Sequence, residues 1–148
     1  MKISVVGTGY VGLVSGVCLA DIGHDVSCFD INKDKISLLE EGECPIYEPG
    51  LGVKLAQCLS KGNLSFKSEF DDMISDSDIV LIAVGTPEGS NGEANLSYLY
   101  QAVNELTEYL NGGQLVIIKS TVPPGTNKEL KNTLGDKVLD VVSNPEFL

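Results

Sequence analysis

The run ISVVGTGYVG at residues 3–12 constrains this chain more than any other feature. Ile3 to Val6 read as an apolar strand, and the glycines at 7, 9 and 12 fit the pattern G-x-G-x-x-G. A helical apolar pattern (Val11, Val14, Cys18, Leu19, Ile22) follows at once. In such a strand–loop–helix unit each glycine has its own task. Gly7 allows the tight turn, Gly9 lets the backbone come close to a pyrophosphate, and Gly12 lets the helix pack on the strand. The helix N-terminus then offers N–H groups and a positive dipole end to the phosphates.

DVSCFD at 25–30 reads as a second strand ending in Asp30, 18 residues after Gly12. That is close to the roughly 20 expected for an acid that binds the adenosine ribose 2′-OH of a dinucleotide. The competing reading is that Asp30 caps a helix starting near Lys33. Strand, loop, helix, strand and acid fall in one register, which favours the dinucleotide. A carboxylate at this place repels a 2′-phosphate, so NAD is expected over NADP.

Beyond this unit, helix and strand continue to alternate. Helices are expected over 33–41, from Leu51 to Leu59, from Leu96 to Leu110 and near Asn127–Leu134; strands are expected at 64–67, 76–85, 114–121 and 138–143. The strand at 76–85 is acid-capped and then continuously apolar, as strands buried on both faces are, and 114–121 reads as another buried strand. The alternation predicts an α/β, Rossmann-type doubly wound fold: one domain over residues 1–148, a mainly parallel sheet, and helices on both faces. Ligands of such sheets bind beyond the carboxyl ends of the strands. There the sequence places GTGYVG, Asp30, GTP at 85–87, STVPPGT at 120–126 and NPEFL at 144–148. The polar loop at 86–95 is longer than a simple strand-to-helix connection needs.

Charge narrows the partners. Ten basic residues, all Lys, stand against 21 acidic ones, for a net charge of −11. That argues against nucleic acid, where cations must neutralise phosphates. Mean hydropathy is +0.11, and no apolar run approaches the roughly 20 residues that span a membrane. The start shows no signal peptide, so a cytoplasmic location is the default expectation. Cys18, Cys28, Cys44 and Cys58 have no C-x-x-C spacing and His24 is the single histidine, so no metal site is expected. Cys18 and Cys28 are expected inside the fold as small hydrophobes.

Taken together, MKISVVGTGYVGLVSG at the start, PIYEPGL at 45–51, DSDIVLIAVGTP at 76–87, IIKSTVPPGT at 117–126 and SNPEFL at 143–148 resemble the UDP-glucose/GDP-mannose dehydrogenase family, in the family's order and over the whole chain. The resemblance implies an enzyme that oxidises the C6 alcohol of a nucleotide sugar to a carboxylate with two NAD+, through an aldehyde captured by a cysteine and a thioester hydrolysed by water. It implies that Gly7, Gly9, Tyr10, Val11 and Gly12 form the pyrophosphate loop. Asp30 and Lys35 would contact the adenosine ribose, and Thr86 would line the nicotinamide side. Thr121 would stand beside the reacting centre and help hold a catalytic water, with Glu146 working on that water. Glu146, Phe147 and Leu148 would begin the substrate segment. Alcohol oxidation needs a proton acceptor and thioester hydrolysis an oriented water, roles that Thr and Glu can fill.

Two departures from the family pattern stand out. The family's Gly-x-Ala-Asp-Leu reads GEANL at 92–96, where Asn95 can still cap the following helix. None of the four cysteines matches the family's catalytic one, which lies in a second domain. The chain is therefore expected to be an N-terminal domain, inactive alone, of an enzyme whose parent is a homodimer. Other substrates in the family, GDP-mannose or a UDP-N-acetylamino sugar, remain open. So does a non-enzymatic nucleotide-sensing module, although that would have no need of STVPPGT or NPEFL.

Overall fold

The computed structural model describes residues 1–90 and 92–146. Six strands form one sheet: β1 (Lys2–Val6), β2 (Asp25–Phe29), β3 (Leu64–Lys67), β4 (Ile79–Ile82), β5 (Leu115–Ile118) and β6 (Asp140–Ser143). Their order is β3-β2-β1-β4-β5-β6, and every pairing is parallel. This is the doubly wound order, with its switch point between β1 and β4. Five helices connect the strands: α1 (Tyr10–Asp21), α2 (Lys33–Glu40), α3 (Leu51–Lys61), α4 (Ser97–Leu106) and α5 (Thr126–Leu134).

Alternation along the strands makes two cores. Ile3, Val5, Val26, Cys28, Leu64 and Phe66 turn to one face and pack with α1, α2 and α3. Val6, Phe29, Val80, Ile82, Val116 and Ile118 turn to the other and pack with α4 and α5. A parallel sheet covered on both faces is what continuously apolar strands require. Among the described residues no helix is long and apolar enough to cross a membrane.

The buried face of α1 differs from the expected one. Gly12, Leu13, Gly16, Val17 and Ala20 are buried, whereas Cys18 and Ile22 are exposed. Apolar residues surround this helix, so periodicity alone does not select a face. Close approach selects it instead. A Cβ on Gly16 would stand 2.7 Å from Cys28 Sγ, so the Gly12–Gly16–Ala20 ridge is the side that fits against the sheet. Cys18, expected inside, consequently faces solvent.

Element ends shift for local reasons. α3 runs on to Lys61 and is stopped by Gly62 in the left-handed conformation, at φ +76°. α4 ends at Leu106, short of the expected Leu110, but Leu110 is still buried. The N-cap of α4 is Leu96 rather than the expected Asn95, which stands one residue earlier and accepts from the Ser97 amide through its Oδ1 at 3.0 Å. β5 closes at Ile118, where the amides of Lys119 and Ser120 both turn onto the Ile82 carbonyl, at 2.8 and 3.2 Å.

Candidate functional site

Parallel pairing brings the ends of β1, β2, β4, β5 and β6 to one edge of the sheet, and the expected site residues follow those ends. At the end of β1 the chain turns at Gly7 with φ +96°, where a Cβ would lie 2.6 Å from the Ala83 carbonyl oxygen. On Gly12 a Cβ would lie 1.9 Å from the Gly7 carbonyl oxygen. Around Gly9 nothing lies within 4 Å of that position. The first and third glycines thus fit strand to helix, and the second leaves open space beside the helix end. Gly9 is the residue before α1 and supplies no side-chain cap, which leaves the first turn free to receive an anion. Tyr10 and Val11 begin α1. The Tyr10 hydroxyl donates to the Glu48 carboxylate, which holds the phenol's pKa above its usual value and ties the helix start to the segment before α3.

Asp30 follows β2 and is the most heavily bonded group of the site. Its Oδ2 accepts from Thr8 N at 2.9 Å, Thr8 Oγ1 at 2.7 Å and Lys35 Nζ at 2.8 Å, and its Oδ1 accepts from Asn32 N at 3.0 Å. Burial pushes the Asp30 carboxyl up. The Lys35 ammonium, the Thr8 hydroxyl and the amides of Asn32 and Thr8 outweigh that and leave it below the usual carboxylate range. The cap of α2 is Asn32, whose side chain accepts from the Lys35 amide at 3.0 Å. Helix capping therefore does not explain Asp30.

A cavity of about 710 Å³ opens beside these groups. Gly7, Gly9, Asp30 and Lys35 line one side, and Phe70, Gln101 and Tyr109 line another. Phe70 stands edge-on to Phe29 and to Tyr109, with ring centroids 5.5 and 6.1 Å away, giving the cavity an aromatic wall. The cavity's volume and aromatic wall are those of a small-molecule site, and Asp30, Lys33, Lys35, Glu69, Glu105 and Glu108 add charged groups to the lining. The glycine loop, the uncapped helix start and the fixed carboxylate thus border one cavity, as groups for the pyrophosphate and ribose of a dinucleotide must. The residues present fit NAD.

A second group lies at the ends of β4, β5 and β6. Thr86, next in the chain to the cavity-lining Gly85, donates from Oγ1 to the Thr121 carbonyl at 3.0 Å. Lys119 Nζ reaches across to Asn144 Oδ1 at 3.1 Å and Glu146 Oε2 at 2.9 Å, with its own side chain only 10% exposed. The structure therefore joins Thr86 to Thr121 and bonds Glu146 to Lys119, the residue that follows β5. Phe147 and Leu148 lie outside the described residues. Sequence reasoning missed Lys119, Thr8 and the Phe70–Tyr109 wall. A lysine closing an apolar strand run was the available signal for Lys119. The aromatic wall comes from a loop and a turn far apart in sequence and left no local signal.

The family model described as the UDP-glucose/GDP-mannose dehydrogenase family, NAD binding domain, matches residues 1–148. The chain belongs to this family, as its NAD-binding domain. It is 48% identical to a UDP-glucose 6-dehydrogenase of Rhizobium meliloti over 100% of its own length and 35% of the relative's. Among solved structures it resembles a UDP-glucose dehydrogenase of Pyrobaculum islandicum, with a TM-score of 0.88 and 39% identity over 99% of this chain and 36% of that one. A ternary complex of GDP-mannose dehydrogenase from Pseudomonas aeruginosa gives a TM-score of 0.89 and 38% identity over 100% of this chain and 36% of that one. The chain thus spans about a third of the length of the relatives it matches.

Proposed function

We propose that this domain serves the oxidation of UDP-glucose to UDP-glucuronate, at the expense of two NAD+ per sugar and through a thioester on a cysteine of a second domain. The observation that carries the reading is the pair of bonds at the strand ends, Thr86 to the Thr121 carbonyl and Lys119 to Glu146, with Thr86 next in the chain to Gly85 of the cavity that fits NAD. The 48% identity to a UDP-glucose 6-dehydrogenase supports the sugar.

In this reading the glycine loop and the start of α1 bind the pyrophosphate, and Asp30 with Lys35 orients the adenosine ribose. When bound, NAD+ accepts the hydride. Thr121 and Glu146 hydrogen-bond a water beside the reacting carbon, and the Glu146 carboxylate takes a proton from it during thioester hydrolysis. Lys119 keeps that carboxylate aimed. The thiol that captures the aldehyde comes from outside this chain. Cys28 and Cys58 are buried, and Cys18 and Cys44 lie on the α1–α3 side of the sheet rather than beside Thr121.

Absorbance of NADH tests the reading. Residues 1–148 with NAD+ and UDP-glucose should give none, and UDP-glucose should bind them poorly, since a diphosphate finds little cation on a chain at −11. A full-length enzyme carrying this domain should form two NADH per UDP-glucose. One NADH per sugar would point to a simple alcohol dehydrogenase. Turnover of GDP-mannose in place of UDP-glucose would favour the second reading, which the 38% identity and TM-score of 0.89 to the GDP-mannose enzyme support.

A further inference from the structure

Thr8 is the variable position between the first two glycines of the loop, where the motif itself asks for nothing in particular. Its side chain is nevertheless buried, at 1% exposure, and its hydroxyl is spent on Asp30. The division of bonds on that carboxylate is unequal. Oδ2 accepts three donors, two of them from Thr8 and the third from Lys35, whereas Oδ1 accepts only the Asn32 amide. A carboxylate oxygen has two lone pairs. Oδ2 is therefore fully taken up inside the protein, and Oδ1 alone retains capacity for a ligand hydroxyl. The backbone amide of Thr8 and the Lys35 ammonium would still attract Oδ2 without the hydroxyl. The hydroxyl adds a second bond from the same residue and so fixes the plane of the carboxylate as well as its position.

We propose that Thr8 is a positioning residue that, through its hydroxyl, aims Asp30 Oδ1 at the adenosine ribose and so sets how strongly the domain prefers NAD to NADP. The inference rests on the reading of Asp30 as the ribose ligand. Ribose hydroxyls gain from a carboxylate held in one plane. A 2′-phosphate is repelled by the negative charge in any orientation. Loss of the hydroxyl therefore weakens NAD more than NADP.

The test is calorimetry of NAD and NADP on four forms of this chain: the wild type, Thr8→Val, Thr8→Ser and Asp30→Ala, each checked for folding by its thermal melt. A hydrogen bond to a charged group implies that Thr8→Val weakens NAD roughly tenfold. NADP should change less, so the ratio of the two affinities narrows, and Thr8→Ser should keep both near wild type. Should Thr8→Val fail to fold, Thr8→Ala makes the same comparison without the added methyl groups. Wild-type NAD affinity in a folded Thr8→Val, alongside a large loss in Asp30→Ala, would overturn the role of Thr8 and leave the ribose reading standing. An equal loss of both cofactors would also overturn it, as the mark of a merely structural hydroxyl. Undiminished NAD affinity in Asp30→Ala would overturn the ribose reading and the inference with it.

Discussion

A Cβ on Gly12 would stand 1.9 Å from the carbonyl oxygen of Gly7, closer than any side chain can approach. The obstacle is backbone, in a tight turn with Gly7 at φ +96°, rather than a flexible side chain that could give way. Gly12→Ala is therefore expected to cost about 3 kcal/mol, the upper end of what overpacking does, and to lower the midpoint of denaturant unfolding accordingly.

Gly9 offers the opposite case within the same motif. Its φ of −66° suits any residue, and its Cβ position is open. Gly9→Val should change stability by no more than about 0.5 kcal/mol, as surface substitutions do. It should still abolish NAD binding, because the side chain fills the space the pyrophosphate needs. A folded Gly9→Val that binds NAD like wild type by calorimetry would remove the phosphate loop from its assigned place.

How much of this was legible beforehand depends on whether the signal was local. The motif at Gly7, Gly9 and Gly12 and the acid at Asp30 are read at fixed spacing, and the structure brings Gly7, Gly9 and Asp30 to one cavity while Gly12 packs against the Gly7 carbonyl. The buried face of α1 was not legible, because that helix is apolar all round and the choice is made by Gly16 against Cys28, on another element. Asp30 itself was visible as an acid at the right distance. The two donors from Thr8 were not, since Thr8 lies 22 residues away and reaches Asp30 only once β1 pairs with β2, whereas Asn32 and Lys35 are near in sequence.

Asp30 predicts an acid limit. Its folded pKa lies below its unfolded one, so the ionised group contributes stability that is fully present above the unfolded value of about 3.9. The contribution is lost as pH falls through the lowered folded value. Asp30→Asn should therefore melt below wild type at pH 6. The gap should shrink once the pH drops under about 4. A gap that stays constant from pH 6 to pH 2.5 in thermal melts would show that the carboxylate is not held by charge-dependent bonds.

The thiols should separate by burial. Burial pushes the Cys28 thiol up to about 12, and it also raises the Cys58 thiol. Cys44 is half-buried and donates to the Ile46 carbonyl at 3.2 Å. Cys18 is exposed on α1. An alkylating reagent at pH 8 should label Cys18 first, and Cys28 and Cys58 only after denaturant is added, as peptide mass mapping would show. Early labelling of Cys28 would mean that α1 does not sit on the sheet as described.

Lys119 predicts the behaviour of the segment after β6. The Asn144 amide is bonded to the Ile118 carbonyl at 2.9 Å and continues the sheet. Beyond that point the Lys119 ammonium holds the Asn144 side chain and the Glu146 carboxylate. Lys119→Met keeps the buried stem and removes the charge. Glu146 is 45% exposed, so its ion pair is worth under about 1 kcal/mol, and part of that is returned by no longer burying the ammonium. The variant should therefore melt close to wild type while the Glu146 amide loses order in NMR relaxation and the Asn144 amide keeps it. Glu146→Gln provides the control, because its side-chain carbonyl can still accept from Lys119. If Glu146 in Lys119→Met is as ordered as in wild type, the lysine is not what holds it. If the order is lost, Lys119→Met in a full-length enzyme carrying this domain should lower kcat with little change in KM, because a carboxylate that wanders no longer orients the water it is proposed to activate.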